Sequence, residues 1–304
     1  MMRKGLRVEL LSLAFIFALG VILINGCSKK AGKTVAGEQQ GIAFVTDYDS
    51  ALATAQQKGQ KILIDFYTDW CQWCKTLDTV TYVDSGVIAL SKTIVFAKIN
   101  AEVDTLTAQK YKIQGYPTIV LTNSDGTEID RIGGFLEPDE YLETVDNYLH
   151  DRETLSDYLR RADTNTTIEV NYILANKYSD RGLNKEALDY FNKVVKADPK
   201  YEDTLTSDAM LSIGSIYLRD DDFDKSFDQF KKVMKAFEGS ETEADAMLWL
   251  AYAYRKRGES SDTASAIRLY EDFLKKFPDS PDTSHAISML DRLKNPPPPE
   301  EEGE

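Results

Sequence analysis

Two cysteines three positions apart, Cys71 and Cys74, follow the run Ile62-Leu63-Ile64-Asp65-Phe66-Tyr67 after only three intervening residues. That run is almost wholly apolar and reads as a buried strand. Lys75-Thr76-Leu77 then opens a helical pattern. A strand that delivers two thiols to the start of a helix restricts the chain to an α/β arrangement, and the setting is a redox one. At a helix N-terminus, unsatisfied N–H groups and the helix dipole favour a thiolate. Cys71 is therefore expected to be the nucleophile and the more exposed of the pair. Cys74, one turn further in, is expected to resolve the mixed disulfide that Cys71 forms.

The flanking segments alternate. Residues 41–45 read as a first strand and residues 47–58 as a helix with Ala51, Leu52 and Ala55 on one face. Residues 61–67 are a strand, 85–90 a helical turn, 93–99 a mostly apolar strand and 106–111 a short helix. Residues 117–121 and 127–132 flank the turn Asn123-Ser124-Asp125-Gly126 and read as a hairpin. Pro138 suits the start of a last helix with Leu142, Val145 and Leu149 facing inward. After about residue 150 no strand pattern remains.

The order of these elements, with Ile64-Asp65-Phe66-Tyr67-Thr68-Asp69-Trp70-Cys71-x-x-Cys74-Lys75, Gln114-Gly115-Tyr116-Pro117-Thr118 and Gly133-Gly134, resembles the thioredoxin fold over residues 42–149. The Asp-Trp-Cys-x-Trp-Cys-Lys form looks closest to exported members such as the C-terminal domain of the DsbD proteins. Gln72-Trp73 departs from the Gly-Pro of thioredoxin itself, so no redox potential is carried over. The resemblance implies a central mixed sheet flanked by helices. It places Asp65 where the family keeps a buried carboxylate, which burial would suit to accept a proton from Cys74. It also makes Pro117 the family's cis-proline, presenting the Tyr116 backbone to an extended substrate strand. Trp70 and Trp73 would offer apolar surface around the site. Plainer roles stay open: a trans Pro117 starting a strand, a half-buried structural Asp65, a Trp73 that only packs.

Residues 168–201, 207–240 and 244–280 align on Leu174-Ala175, Tyr178, Gly182, Ala187, Phe191 and Pro199 and on their counterparts Ile213-Gly214, Tyr217 and Phe230, then Leu250-Ala251, Tyr254, Gly258, Ala266 and Tyr270. These spacings resemble tetratricopeptide repeats of 34 residues. The expected architecture is thus a thioredoxin-like domain at 42–149, a connecting helix within 150–166, and an all-α solenoid at 167–294 whose last helix caps it. Residues 295–304, Pro-rich and then acidic, read as a disordered tail. The aromatic residues of the repeats are spaced for packing, and such arrays imply an unidentified protein or peptide partner.

The N-terminus carries Arg3, Lys4 and Arg7 before an apolar run from Leu10 to Ile24, a pattern suited to a signal peptide over residues 1–26. Asn25-Gly26-Cys27-Ser28 resembles a bacterial lipobox. That implies lipidation of Cys27, a membrane anchor on the periplasmic side, and, through Ser28, the outer membrane; an uncleaved anchor is the alternative. Residues 27–41 read as a flexible tether. With three cysteines in all, a lipidated Cys27 leaves the pair without an internal competitor. The net charge of −14 argues against nucleic acid as a partner. Two histidines far from the pair do not make a metal site with it, and no cofactor is expected.

Two functions follow. One is an exported thiol-disulfide oxidoreductase, leaning reductase, acting on protein disulfides with a redox partner protein. The other is a non-catalytic envelope scaffold in which the repeats are the functional part.

Overall fold

A computed structural model describes residues 41–296. The expectations on the signal segment, Cys27, Ser28 and most of the tether and tail lie outside the described residues. No helix among the described residues is long and apolar enough to cross a membrane.

The sheet has four strands: β1 Ile62–Tyr67, β2 Val95–Asn100, β3 Thr118–Thr122 and β4 Glu128–Gly133, in the order β2-β1-β3-β4. β1 and β2 are parallel, and the other neighbours are antiparallel. Period-two alternation sorts the side chains. Ile62, Ile64 and Phe66 face one cluster with Ala97, Ile99 and Val120, under α1 (Tyr48–Lys58) and α4 (Thr105–Lys110). Leu63 faces the other, with Phe96, Ile119 and Leu121, under α2 (Gln72–Thr79), α3 (Ser85–Leu90) and α5 (Pro138–Leu149). Asp65 is two residues from Leu63 and shares its face.

Local signals set the helix ends. Asp47 caps α1 by accepting from Ser50 N at 2.8 Å, and Gly59, at φ 65°, ends it in the left-handed region. Pro138 opens α5. One expectation fails: residues 41–45 are not a strand. Within this segment Phe44 packs its ring against Phe96, but only Val45 hydrogen-bonds the sheet, through an isolated parallel bridge to Ala97. Asp47 caps α1 two residues later and draws the backbone off the sheet before a ladder can extend.

The all-α part runs α6 Leu155–Thr164, α7 Ile168–Ser179, α8 Asn184–Ala197, α9 Thr204–Arg219, α10 Phe223–Ala236, α11 Glu241–Arg257, α12 Asp262–Lys276 and α13 Thr283–Lys294. Small residues let neighbours approach. A Cβ on Gly214 would lie 2.6 Å from the Phe230 ring, and Ser226 Oγ donates to Gly214 O at 3.0 Å. Ala251, Ala266 and Tyr270 pack in the third pair as Ala175, Ala187 and Phe191 do in the first.

A buried ionic cluster joins the sheet to the first repeat. Asp130, on β4, accepts from Lys177 Nζ at 2.9 Å and Arg181 Nη2 at 2.8 Å. Leu155 N donates to the same carboxylate at 2.6 Å. Arg131 donates to Tyr111 O and Asp180 O, each at 2.9 Å, and pairs with Glu128. Gln114 lies against Gly182, where an added Cβ would come within 2.7 Å of its amide. The segment before Tyr116-Pro117 is thus buttressed by the α7–α8 turn.

Candidate active site

Cys71 and Cys74 are joined as a disulfide. β1 ends at Tyr67, and the chain turns through 68–70 so that Cys71 becomes the N-cap of α2. Its Sγ accepts from Cys74 N at 3.0 Å. This is the place where a helix N-terminus stabilises negative charge on sulfur. Exposure barely separates the pair in this oxidised form: 4% for Cys71 and 2% for Cys74. What separates them is position, because only Cys71 sits at the cap.

Asp65 is 1% exposed, and neither carboxylate oxygen has a hydrogen-bond partner among the described residues. Burial pushes its pKa up to about 7, against the pull of the Lys98 ammonium 3.7 Å away. Lys98 is its register neighbour across the β1–β2 ladder and also pairs with Asp78 on α2. The ammonium lies over the rings of Tyr67, Phe44 and Tyr82 at 5.0, 5.6 and 5.8 Å. A group that holds or releases its proton near neutrality, in the strand leading to the cysteines, can exchange protons with a buried thiol.

The Tyr116–Pro117 peptide bond is cis. Tyr116 stands edge-on to Trp70, with ring centroids 5.9 Å apart. Trp70 is 67% exposed, and its Nε1 donates to Glu102 Oε1 at 2.9 Å. Trp73 is 61% exposed and stacks on Phe135 at 5.9 Å. It packs and presents surface at once, so the two roles are not exclusive. A cleft of about 300 Å³ runs from Tyr116 and Pro117 past Gly133 and Gly134 to Asp180 of the first repeat.

Four participants were not singled out from the sequence: Lys98, Asp78, Glu102 and Phe135. Lys98 had a usable signal, as the one charge in Val-Phe-Ala-Lys-Ile-Asn. Asp78, one turn after Cys74, looks like any exposed helix residue. Glu102 and Phe135 lie on loops with no periodic signature.

Comparison with known proteins agrees with this geometry. Residues 48–149 match a model described as a thioredoxin-like domain, residues 168–201 one described as a tetratricopeptide repeat, and residues 203–292 one described as an outer membrane lipoprotein. The thiol:disulfide interchange protein DsbD of Salmonella typhimurium is 33% identical over 118 residues, covering 37% of this chain and 20% of that protein. DsbD of Pseudoalteromonas atlantica is 29% identical over 109 residues, covering 34% and 18%. The chain thus spans about a fifth of the length of these curated relatives. Among solved structures, the oxidised C-terminal domain of Neisseria meningitidis DsbD is 21% identical, with a TM-score of 0.32 over 35% of this chain and 99% of that one. The mixed four-stranded sheet, the helix-capping cysteine pair and the helical pairs after it make this chain a thioredoxin-like domain followed by tetratricopeptide-type repeats.

Proposed function

We propose that this protein is a thiol-disulfide oxidoreductase of the cell envelope, membrane-anchored through lipidated Cys27 and working as a reductase. The observation that carries the reading is a disulfide at a helix N-cap in the same domain as a buried carboxylate that accepts no hydrogen bond and whose pKa burial pushes up to about 7. The envelope placement draws on the DsbD relatives and on the outer membrane lipoprotein model matched by residues 203–292.

In the reduced protein, the Cys71 thiolate attacks one sulfur of a substrate disulfide, and the other sulfur leaves as a thiolate. Asp65 accepts the Cys74 proton, and Cys74 attacks Cys71 Sγ. Two electrons pass to the substrate, which leaves as a dithiol, and the 71–74 disulfide seen here is the product. A dithiol partner protein returns the two electrons. The Tyr116 backbone beside Pro117 holds the substrate segment, with Trp70 and Trp73 as apolar walls.

The test is trapping. Cys74→Ala is expected to accumulate disulfide-linked proteins in envelope extracts, and Cys71→Ala none. No trapping by either variant, with no turnover of a protein disulfide by the wild type, sinks the reading and leaves a scaffold built on the repeats. The reduction potential of the pair decides direction: a value towards about −270 mV supports a reductase, one towards about −120 mV an oxidant.

A further inference from the structure

The repeats hold a second groove, formed by α7, α9 and α11. Its cavity of about 480 Å³ is lined by Ser179, Leu211, Leu218, Arg219, Trp249 and Tyr252 among others. Trp249 and Tyr252 are 42% and 44% exposed, with rings edge-to-face at 6.1 Å. Large aromatic side chains left this open in a groove are suited to anchoring a ligand. Arg219 donates to Ser179 Oγ at 2.7 Å and has no carboxylate partner within 4.0 Å among the described residues. The groove therefore offers apolar and aromatic surface beside a guanidinium that no carboxylate pairs directly, with Asp220 and Asp180 acting on it at longer range.

Its position is the second observation. Ser179 closes this groove at the end of α7, and the next residue, Asp180, closes the cleft that begins at Tyr116 and Pro117. Each cavity thus reaches one of two adjacent residues at the α7–α8 turn. That turn is fixed to the redox domain by Arg131 on Asp180 O, by Arg181 and Lys177 on Asp130, and by Gln114 against Gly182. Gly133 and Gly134 have nothing within 4 Å of where a Cβ would stand, which leaves room for a backbone to lie across them.

We propose that one extended substrate polypeptide occupies both cavities. Its cysteine lies at Cys71, its backbone passes Tyr116, Gly133 and the α7–α8 turn, and a flanking segment rests on Trp249 and Tyr252. This rests on the oxidoreductase reading and adds the substrate class: an unfolded or flexible chain with an apolar, acidic flank. Arg219 takes a carboxylate of that flank, and the two aromatic residues take a large apolar side chain. Packed helices are spaced by about 8–10 Å, and an extended chain covers about 3.3–3.6 Å per residue. Two helix spacings from α7 to α11 correspond to about six residues, and a flank of about twelve leaves as many again for the stretch between the cysteine and α7.

The experiment uses the full chain with its 71–74 pair reduced, a dithiol reductant to return the two electrons consumed at each turnover, and defined peptides, each with one cysteine in a mixed disulfide with glutathione. One peptide is bare. Others carry a twelve-residue flank containing Trp and Glu, or Trp and Lys, on either side of the cysteine. For the wild type, one Glu-flanked peptide is expected to exceed the bare one in kcat/KM by about tenfold or more, the size of one good aromatic anchor. Trp249→Ala and, separately, Tyr252→Ala should remove most of that advantage while leaving the bare peptide within about twofold. Arg219→Glu should reverse the preference between the Glu and Lys flanks. Equal turnover of bare and flanked peptides by the wild type, or an advantage that survives both aromatic variants, overturns the proposal. If the wild type turns over none of the peptides, the oxidoreductase reading fails. Fluorescence anisotropy of labelled flanked peptide on Cys71→Ala/Cys74→Ala protein then decides the groove by itself. Binding weakened by Trp249→Ala upholds it, and no binding refutes it.

Discussion

Asp65 and Asp130 are carboxylates buried in the same sheet, at 1% and 0% exposure. Asp130 takes four donors: Arg131 N, Leu155 N, Lys177 Nζ and Arg181 Nη2. Asp65 takes none and has one ammonium at 3.7 Å. A buried carboxylate that takes four donors is structural, because it fixes the groups around it. One left without donors is held near its ionisation point, which is a cost to the fold and a resource for chemistry. The region around Asp130 ties two halves of the chain together, whereas Asp65 is left without donors in the strand that leads to the cysteines.

The largest effect expected from breaking this contrast is at Asp130. Asp130→Ala leaves Lys177 and Arg181 facing a missing partner in a dry junction and should cost about 3–5 kcal/mol. Urea unfolding measures it, and a loss below about 1 kcal/mol would show that the cluster is solvated and weak.

Asp65 should behave in the opposite sense. Its folded pKa, about 7, lies above the unfolded value of 3.8. Between those values the folded protein holds a proton that the unfolded chain has released, so stability falls as pH rises through that window and then levels off. Asp65→Asn should abolish that fall and be more stable than wild type at pH 8, by roughly 2–4 kcal/mol. The same variant should slow resolution of the Cys71 mixed disulfide by about 100-fold at pH 7, the lower range for losing a general base. A variant less stable than wild type at pH 8 would mean that Asp65 is an ordinary ion-paired residue.

Smaller effects sharpen the comparison further out. Gly214→Val forces a side chain against Phe230 and should cost about 1–3 kcal/mol by thermal unfolding, with the redox pair still reactive. Trp70→Phe removes an exposed hydrogen bond to Glu102 and should change stability by less than about 1 kcal/mol.

What the sequence made legible follows from which signals are local. The apolar run into Cys71, the cap of α2 and the repeat spacings are encoded within a few residues of where they act. Asp65 was visible as a lone charge in an apolar strand, and Lys98 carried the same mark one strand away without being used. The ionic cluster was not legible, because Glu128, Asp130, Arg131, Lys177 and Arg181 gain their meaning only when residues about fifty apart meet. The first strand was misread for a related reason. Residues 41–45 have strand-like composition, but a ladder needs a partner along its whole length, and the helix cap at Asp47 leaves room for one bridge.

That single bridge has a consequence for solubility. A four-stranded sheet has two open edges, and each is a template on which another chain can add a strand and start aggregation. On β2, Val45 occupies the edge by donating to Phe96 O and accepting from Lys98 N, both at 2.9 Å. On β4, the Arg131 N–H is taken by the Asp130 carboxylate at 2.8 Å and its carbonyl by the Tyr148 hydroxyl at 3.1 Å. One residue blunts each side, so neither edge of the sheet offers a long run of open backbone on which another chain could pair.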